Sequence, residues 1–214
     1  MIVKVCGVRT PEIAEVAIDA GADWIGLVLV PTSPRHVDDA AARALVDAVH
    51  GRADLVGVMV DATDAECDQA AERYRLSAVQ LHGTVDRSAA VDVAGPVIRA
   101  INVRDARTAF TDDWWAGCTV LLDNAADGDG LPGGTGGRID EKLAAALARH
   151  RRIILAGGLS PGNVAGAIAA VRPHGVDASS GLESAPGVKD AERVVAFVRA
   201  ARTAAMPAAP STRP

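Results

Sequence analysis

The sequence predicts an α/β fold, a closed (β/α)8 TIM barrel in a single domain, on three observations. Eight short apolar runs rich in β-branched residues recur along the 214 residues, and Ala-rich segments with helical spacing separate most of them. The last two runs, Ile153–Ala156 and Val176–Ser179, each stop at glycines beside small hydroxyl residues, as strands that feed helices do. The length suffices for one sizeable core but lies near the small end for a barrel, so the connections must be short. An open doubly wound sheet is the rival, although it usually has fewer strands and a topological switch point.

Taken in order, the first strand is Ile2–Cys6. Thr10-Pro11-Glu12 then offers a hydroxyl at the N-cap, proline at the first helical position and an acid in the first turn, which opens a helix over Pro11–Ala20. Trp24–Leu29 is the second strand, and Asp38 or Asp39 caps the helix Asp39–His50. Leu55–Val60, the helix Asp64–Arg75 and the strand Ala78–His82 follow. The fourth and fifth helical units, Asp86–Ala94 and Ala106–Asp113, are short and less periodic, and they flank the strand Val97–Ile101. Thr119–Asp123 is the sixth strand, and Asn124–Arg138 is a long Gly-rich loop whose length suggests a mobile element over the catalytic rim. The helix Ile139–His150 leads to Ile153–Ala156, and Ser160-Pro161 repeats the capping arrangement of Thr10-Pro11 before another Ala-rich helix. Val176–Ser179 is the eighth strand, and the last helix runs from about Asp190 to Arg202. The barrel domain is therefore 1–202, and Thr203–Pro214, rich in Ala and Pro, reads as a disordered tail.

Composition narrows the function. Hydrophobic residues make up 49%, which excludes a disordered chain, and the 3% aromatic content implies a core of Val, Leu, Ile and Ala. A net charge of -5 with scattered arginines gives no reason to expect a nucleic-acid partner. Cys6, Cys67 and Cys118 are odd in number and widely spaced, which fits neither a disulfide framework nor paired metal ligands, and a reducing cytoplasm is the simplest setting. No leader pattern precedes the first strand and no apolar run is long enough for a membrane span, so a membrane partner is not expected.

Reactive residues of a barrel sit at the carboxyl ends of its strands, which singles out Cys6, Asp61, His82, Asp123 and the pair Asp177/Ser179. Cys6 is a candidate nucleophile or base if rim N–H groups stabilise its thiolate, or else a small buried hydrophobe. Asp123 could hold and donate a proton at the barrel mouth, or cap the loop that follows. Asp61 reads as part of a turn into the third helix, and Cys67 and Cys118 lie away from the rim. Arg35, in a loop stiffened by Pro31 and Pro34, could be aimed at a carboxylate. His82 reads as an orienting donor or a satisfied rim residue. Gly157-Gly158 and Ser180-Gly181 could converge backbone N–H groups on a phosphate, or be ordinary strand-to-helix turns. No metal-ligand spacing, phosphate-binding P-loop or dinucleotide fingerprint occurs, so neither metal nor nucleotide cofactor is expected.

In order, Lys4-Val5-Cys6-Gly7, Ser33-Pro34-Arg35, Val79-Gln80-Leu81-His82-Gly83, Leu121-Leu122-Asp123 and Gly133-Gly134-Thr135-Gly136 resemble the motifs of the phosphoribosylanthranilate isomerases. Leu155-Ala156-Gly157-Gly158-Leu159, Asn163-Val164, Val176–Glu183 and Pro186–Asp190 continue the set across nearly the whole chain. The resemblance implies a cofactor-free Amadori rearrangement of N-(5-phosphoribosyl)anthranilate in tryptophan biosynthesis. By matching motif, Cys6 is the base, Asp123 the acid, and Arg35 the ligand of the anthranilate carboxylate. The turns Gly157-Gly158 and Ser180-Gly181 hold the phosphate, Gly134 and Gly136 belong to a loop closing over the substrate, and His82 and Asp177 contact it. The family often reads Gly-Phe-Val-Phe where this chain has Gly26-Leu27-Val28-Leu29, and the long loop carries an extra Asp127-Gly128-Asp129-Gly130. The competing functions are a related isomerase acting on the histidine-pathway aminoaldose, another phosphosugar barrel, and a non-catalytic phosphate-binding module. The expected partner is a small-molecule phosphosugar, and the expected state a monomer or homodimer.

Overall fold

The computed structural model describes residues 1–83, 93–102, 118–123 and 141–206. Eight parallel strands, β1 (Ile2–Cys6), β2 (Trp24–Val28), β3 (Asp54–Val60), β4 (Ala78–His82), β5 (Val97–Asn102), β6 (Thr119–Asp123), β7 (Ile153–Leu155) and β8 (Gly175–Ala178), pair in sequence order. β8 closes on β1 with Asp177 opposite Lys4 and Ala178 opposite Val5. The fold is the expected closed barrel.

The two-residue period of each strand sorts its side chains into two layers. Val56, Ala78, Ile98, Leu121 and Ile154 fill the barrel. The alternate residues, such as Val3, Val5, Ile25, Leu27, Leu122, Leu155 and Val176, face outward and pack against the helices. Those helices are α1 (Pro11–Ala20), α2 (Asp39–Val49), α3 (Asp64–Tyr74), α4 (Glu141–Ala148), α5 (Val164–Val171) and α6 (Ala191–Ala205). Ala14, Ala17, Leu45, Leu147, Phe197 and Val198 are their fully buried anchors. Small Ala side chains let the helices sit close to the sheet, which is how so few aromatic residues can fill this core.

Several ends differ from expectation for local reasons. Thr10 is extended and makes no side-chain cap, while Pro11 still opens α1. Asp38 does cap α2, accepting from the Ala41 N–H at 2.8 Å. Thr63 and Glu66 form a reciprocal capping box on α3. Ser160-Pro161 does not cap a helix, because Ser160–Asn163 is a separate turn and α5 begins at Val164. α6 continues to Ala205, so the Ala-rich start of the expected tail is helical; 207–214 lie outside the described residues. So do the helical units expected over Asp86–Ala94 and Ala106–Asp113, apart from Val93 and Ala94, and the loop Asn124–Arg138.

One element had no counterpart in the sequence reading. After a 3-10 turn at Ser180–Leu182, β9 (Glu183–Ala185) and β10 (Val188–Lys189) form an antiparallel hairpin before α6. No described helix is long and apolar enough to cross a membrane.

Candidate active site

A cavity of about 880 Å³, counting its open mouth, lies at the carboxyl ends of the strands. Cys6, Arg35, His82, Asp123, Gly157, Gly158, Asp177 and Ser180 all line it, so one space joins residues spread over the length of the chain. Gly181 is not part of the lining, and Gly134 and Gly136 lie outside the described residues. Asp123, half-buried at the end of β6, and Cys6, buried at the end of β1, come from strands well apart around the barrel.

Room for the Cys6 thiol is made by its register partner. Gly26 of β2 stands opposite Cys6, and a Cβ there would lie 2.9 Å from Cys6 Sγ and 3.0 Å from its Cα. Beneath Cys6 on the same face of β1, Lys4 has no exposed surface, and its Nζ donates to Asp177 Oδ1 at 3.1 Å. Burial pushes the Cys6 thiol above its ordinary range; the Lys4 ammonium is the strongest opposing influence, while Asp177 pushes the same way as burial.

Arg35 is held by geometry that the sequence only half suggests. Its N–H donates to Ser33 Oγ at 3.1 Å, and its side chain crosses Gly7, where φ is +72° and a Cβ would lie 2.8 Å from Arg35 Cδ. Arg35 Nε and Nη2 donate to Glu183 Oε1 and Oε2 at 2.8 and 2.9 Å, a two-pronged ion pair. Lys189 Nζ donates to the same Glu183 Oε1 at 2.6 Å and reaches the Ser179 carbonyl and hydroxyl at 3.3 and 3.4 Å. Burial opposes ionisation of Glu183, but bonds from Arg35 and Lys189 outweigh it and hold the carboxyl below its usual range. The hairpin is seated by the same loops: Gly187, at φ +78°, would put a Cβ 2.2 Å from the Pro34 carbonyl. The fork edge facing Glu183 is occupied, which leaves the Nη1 side of Arg35 for a ligand.

The two glycine turns touch one another. Gly157 and Gly158 have φ of +78° and +69°, a conformation in which L-residues are strained. Asn163 braces this loop, its Oδ1 accepting from the Ser160 N–H and its Nδ2 donating to the Gly158 carbonyl, both at 2.8 Å. Gly181 packs on it from the 3-10 turn after β8, where a Cβ would stand 2.1 Å from the Leu159 carbonyl oxygen. Glycine at 181 is thus explained by backbone approach, with Ser180 turned to the cavity.

His82 and Gln80 are paired, Nε2 to Nε2 at 2.7 Å, and both line the cavity. Burial, with the Lys4 charge second, lowers the His82 pKa to about 4, so the ring is neutral near pH 7 and accepts from the amide. Asp61 lies outside this cavity, its carboxylate over Gly83, where a Cβ would meet Oδ1 at 2.1 Å. Cys67 packs with Val79 and Leu81 on the outer face of β4, and burial raises its pKa to about 11. Among the described residues, no group of His, Cys, Asp and Glu is arranged to hold a metal ion.

Lys4, Gln80, Glu183 and Lys189 were not singled out from the sequence. For Lys4 a signal existed, since a lone charge alternates inward within Ile2-Val3-Lys4-Val5-Cys6. Glu183 and Lys189 are six residues apart in sequence, and only the Pro186-Gly187 turn hints that they face one another.

Residues 3–200 match the model of the N-(5'phosphoribosyl)anthranilate (PRA) isomerase family. The chain is 44% identical to N-(5'-phosphoribosyl)anthranilate isomerase of Azorhizobium caulinodans, over 98% of this chain and 95% of that one. It is similar to the crystal structure of phosphoribosyl anthranilate isomerase from Thermotoga maritima, with a TM-score of 0.86, 32% identity, and 95% and 100% of the two chains covered. A phosphoribosyl anthranilate isomerase solved in complex with reduced 1-(o-carboxyphenylamino)-1-deoxyribulose 5-phosphate is also similar, at a TM-score of 0.82, 32% identity and the same coverage.

Proposed function

Since the chain belongs to the N-(5'-phosphoribosyl)anthranilate isomerase family, and is an isomerase of tryptophan biosynthesis, we propose that it works without a cofactor, with Cys6 as general base and Asp123 as general acid. The observation that carries this reading is the single cavity that joins Cys6, Asp123, Arg35 and the glycine turns.

Asp123 gives its proton to the furanose ring oxygen as the bond from that oxygen to C1 breaks. The anthranilate nitrogen supplies the electron pair, and an open-chain iminium results. The Cys6 thiolate then removes the C2 proton, giving the enolamine. Protonation at C1 and loss of the proton from the C2 hydroxyl yield the ketone, 1-(2-carboxyphenylamino)-1-deoxyribulose 5-phosphate. A base and an acid on separated strands can address two ends of one sugar without neutralising each other.

Arg35 binds the anthranilate carboxylate through the edge that Glu183 leaves open. The 5-phosphate lies on the N–H groups of Gly157-Gly158 and Ser180-Gly181, and the left-handed conformation of Gly157 and Gly158 lets the first of these turns come close. Gly134 and Gly136 bind the substrate, neutral His82 orients it, and Asp177 contacts a sugar hydroxyl. A small-molecule phosphosugar of this kind was crystallised with the relative described above. A reducing cytoplasm keeps Cys6 reduced, so that it can ionise to the thiolate that acts as base.

The test is loss of phosphoribosylanthranilate fluorescence, with substrate made in situ from anthranilate and phosphoribosyl pyrophosphate and EDTA added after that metal-dependent step is quenched. Turnover unaffected by EDTA is expected. Cys6→Ser and Asp123→Asn should each lower kcat by about 10²–10⁴-fold, and Arg35→Ala should act mainly on KM. Near-normal kcat in Cys6→Ser would remove the cysteine as base.

A further inference from the structure

We infer that Lys4 is a positioning residue for Cys6, a buried ammonium beneath the thiol whose charge lets the sulfur ionise at the cavity. The inference rests on the reading of Cys6 as the base, and it starts from an anomaly of packing. Lys4 occupies an inward position of β1 with no exposed surface, beside an apolar filling of Val56, Ala78, Ile98, Leu121 and Ile154. An aliphatic residue would pack there without the desolvation cost of a buried cation. Stability alone therefore gives no reason for the charge.

The contacts of the ammonium supply the reason. It donates to Asp177 Oδ1 at 3.1 Å, on the same inward face of β1 that carries Cys6 two residues on. Lys189, the other buried lysine of the site, spends its donors on Glu183, the Ser179 carbonyl and the Ser179 hydroxyl. Its influence on Cys6 is accordingly only through space. Of the two cations, Lys4 stands on the same strand face as the thiol and acts on it more strongly.

The charges that face Cys6 come from three elements: Lys4 on β1, Asp177 on β8 and Lys189 on β10. Glu183 and Arg35 stand behind Lys189 as its partners, and His82 is neutral. Asp177 thus has two opposed effects, keeping Lys4 charged and repelling a thiolate, and the Lys4 effect on Cys6 is the larger. Removing Lys4 would leave a buried thiol facing a carboxylate, the arrangement least able to form a thiolate.

The experiment follows carboxamidomethylation of Cys6 against pH, with the modified peptide identified by mass, in folded wild-type protein, Lys4→Met and Lys4→Met/Asp177→Asn. The double variant removes both charges and leaves no orphaned carboxylate, so it decides the matter if Lys4→Met does not fold. In either variant the Cys6 rate at pH 8 should fall about tenfold or more, the loss of a neighbouring opposite charge, and the midpoint should move to higher pH. In turnover of Lys4→Met, kcat should fall with KM nearly constant, and the acid limb of kcat/KM should move with the alkylation midpoint. A wild-type midpoint in a folded variant overturns the inference, since a merely structural lysine would leave the thiol's titration alone. Failure of the base reading shows differently, as turnover that survives Cys6→Ser while the Lys4 effect on alkylation persists.

Discussion

Replacing Glu183 with Gln tests how the site holds its arginine. The substitution keeps the size of the side chain and one acceptor oxygen but removes the charge that faces two cations. Lys189 loses the anionic partner of its 2.6 Å contact, and Arg35 loses the carboxylate that takes both prongs of its fork. The Lys189 side chain is 2% exposed, so water cannot replace the lost charge. Removing one partner of a buried ion pair costs about 3–5 kcal/mol. For a domain of this size each kcal/mol corresponds to roughly 2–4 °C in Tm, or about 6–20 °C in all. Urea unfolding and a thermal melt measure the cost directly. The pH dependence carries a second signature, because Glu183 is held below its usual range in the folded protein. Its contribution is complete above the unfolded-state pKa and is lost as pH falls through the folded one. The wild type should therefore lose stability more steeply than Glu183→Gln as pH drops below about 4.3, the unperturbed Glu value. KM should rise more than kcat falls, since Arg35 is freed to swing. A loss under about 1 kcal/mol, with parallel acid limbs, would refute the account of Glu183 as the shared anchor.

Gly26→Ala should cost about 1–3 kcal/mol by overpacking, and should slow alkylation of Cys6, since the new methyl meets both its sulfur and its Cα; unchanged alkylation would contradict the close packing of the two strands. Gly181→Ala drives a Cβ against the Leu159 carbonyl at 2.1 Å, with only backbone to yield. Affinity for inorganic phosphate, read as inhibition, should fall about tenfold or more by the misplacement of one bond, and intact inhibition would detach Gly181 from the phosphate site. The His82 ring should titrate by NMR with a midpoint of about 4. Because that lies below the unfolded value of about 6.5, the buried neutral ring costs stability as pH falls below about 6.5; a midpoint near 6.5 would remove the burial argument.

The barrel was legible because each strand's outward face and each helix's Ala-rich face follow periods that one sequence displays on its own. Strand ends are equally local, and a polar residue closing an apolar run, as Cys6 and Asp123 do, marks a place on the rim. The capping of α5 was misread because Ser160-Pro161 has the local chemistry of a helix start, while Asn163, three residues on, captures the Ser160 N–H and makes a separate turn. What stayed hidden were pairings across the barrel. Arg35 and Glu183 are 148 residues apart and Lys4 and Asp177 are 173 apart, so nothing near one announces the other. Arg35 was recognisable as a candidate from its stiff loop, but not the carboxylate that fixes which edge of its fork is open.

Those separations also bear on when the site comes into being. β8 and the hairpin after it supply Asp177 to Lys4, the Ser179 oxygens to Lys189, Gly181 to the Leu159 loop, Glu183 to Arg35 and Gly187 to the Pro34 loop. The contacts of Asp177, Glu183 and Gly187 reach back across long sequence distance, and β8 meets β1 only when the sheet closes. Loop closure on that scale precedes any return from the contacts it permits. Helices α1 to α3 and the β1–β4 ladders, by contrast, join near neighbours in sequence. On refolding, far-UV helicity should therefore recover before activity, and activity should recover in the same phase as burial of Cys6 against alkylation. Activity that returned while Cys6 was still open to alkylation would mean that the charges around the thiol are assembled before the barrel closes, and the fold would then owe its site to something other than the β8–β1 seam.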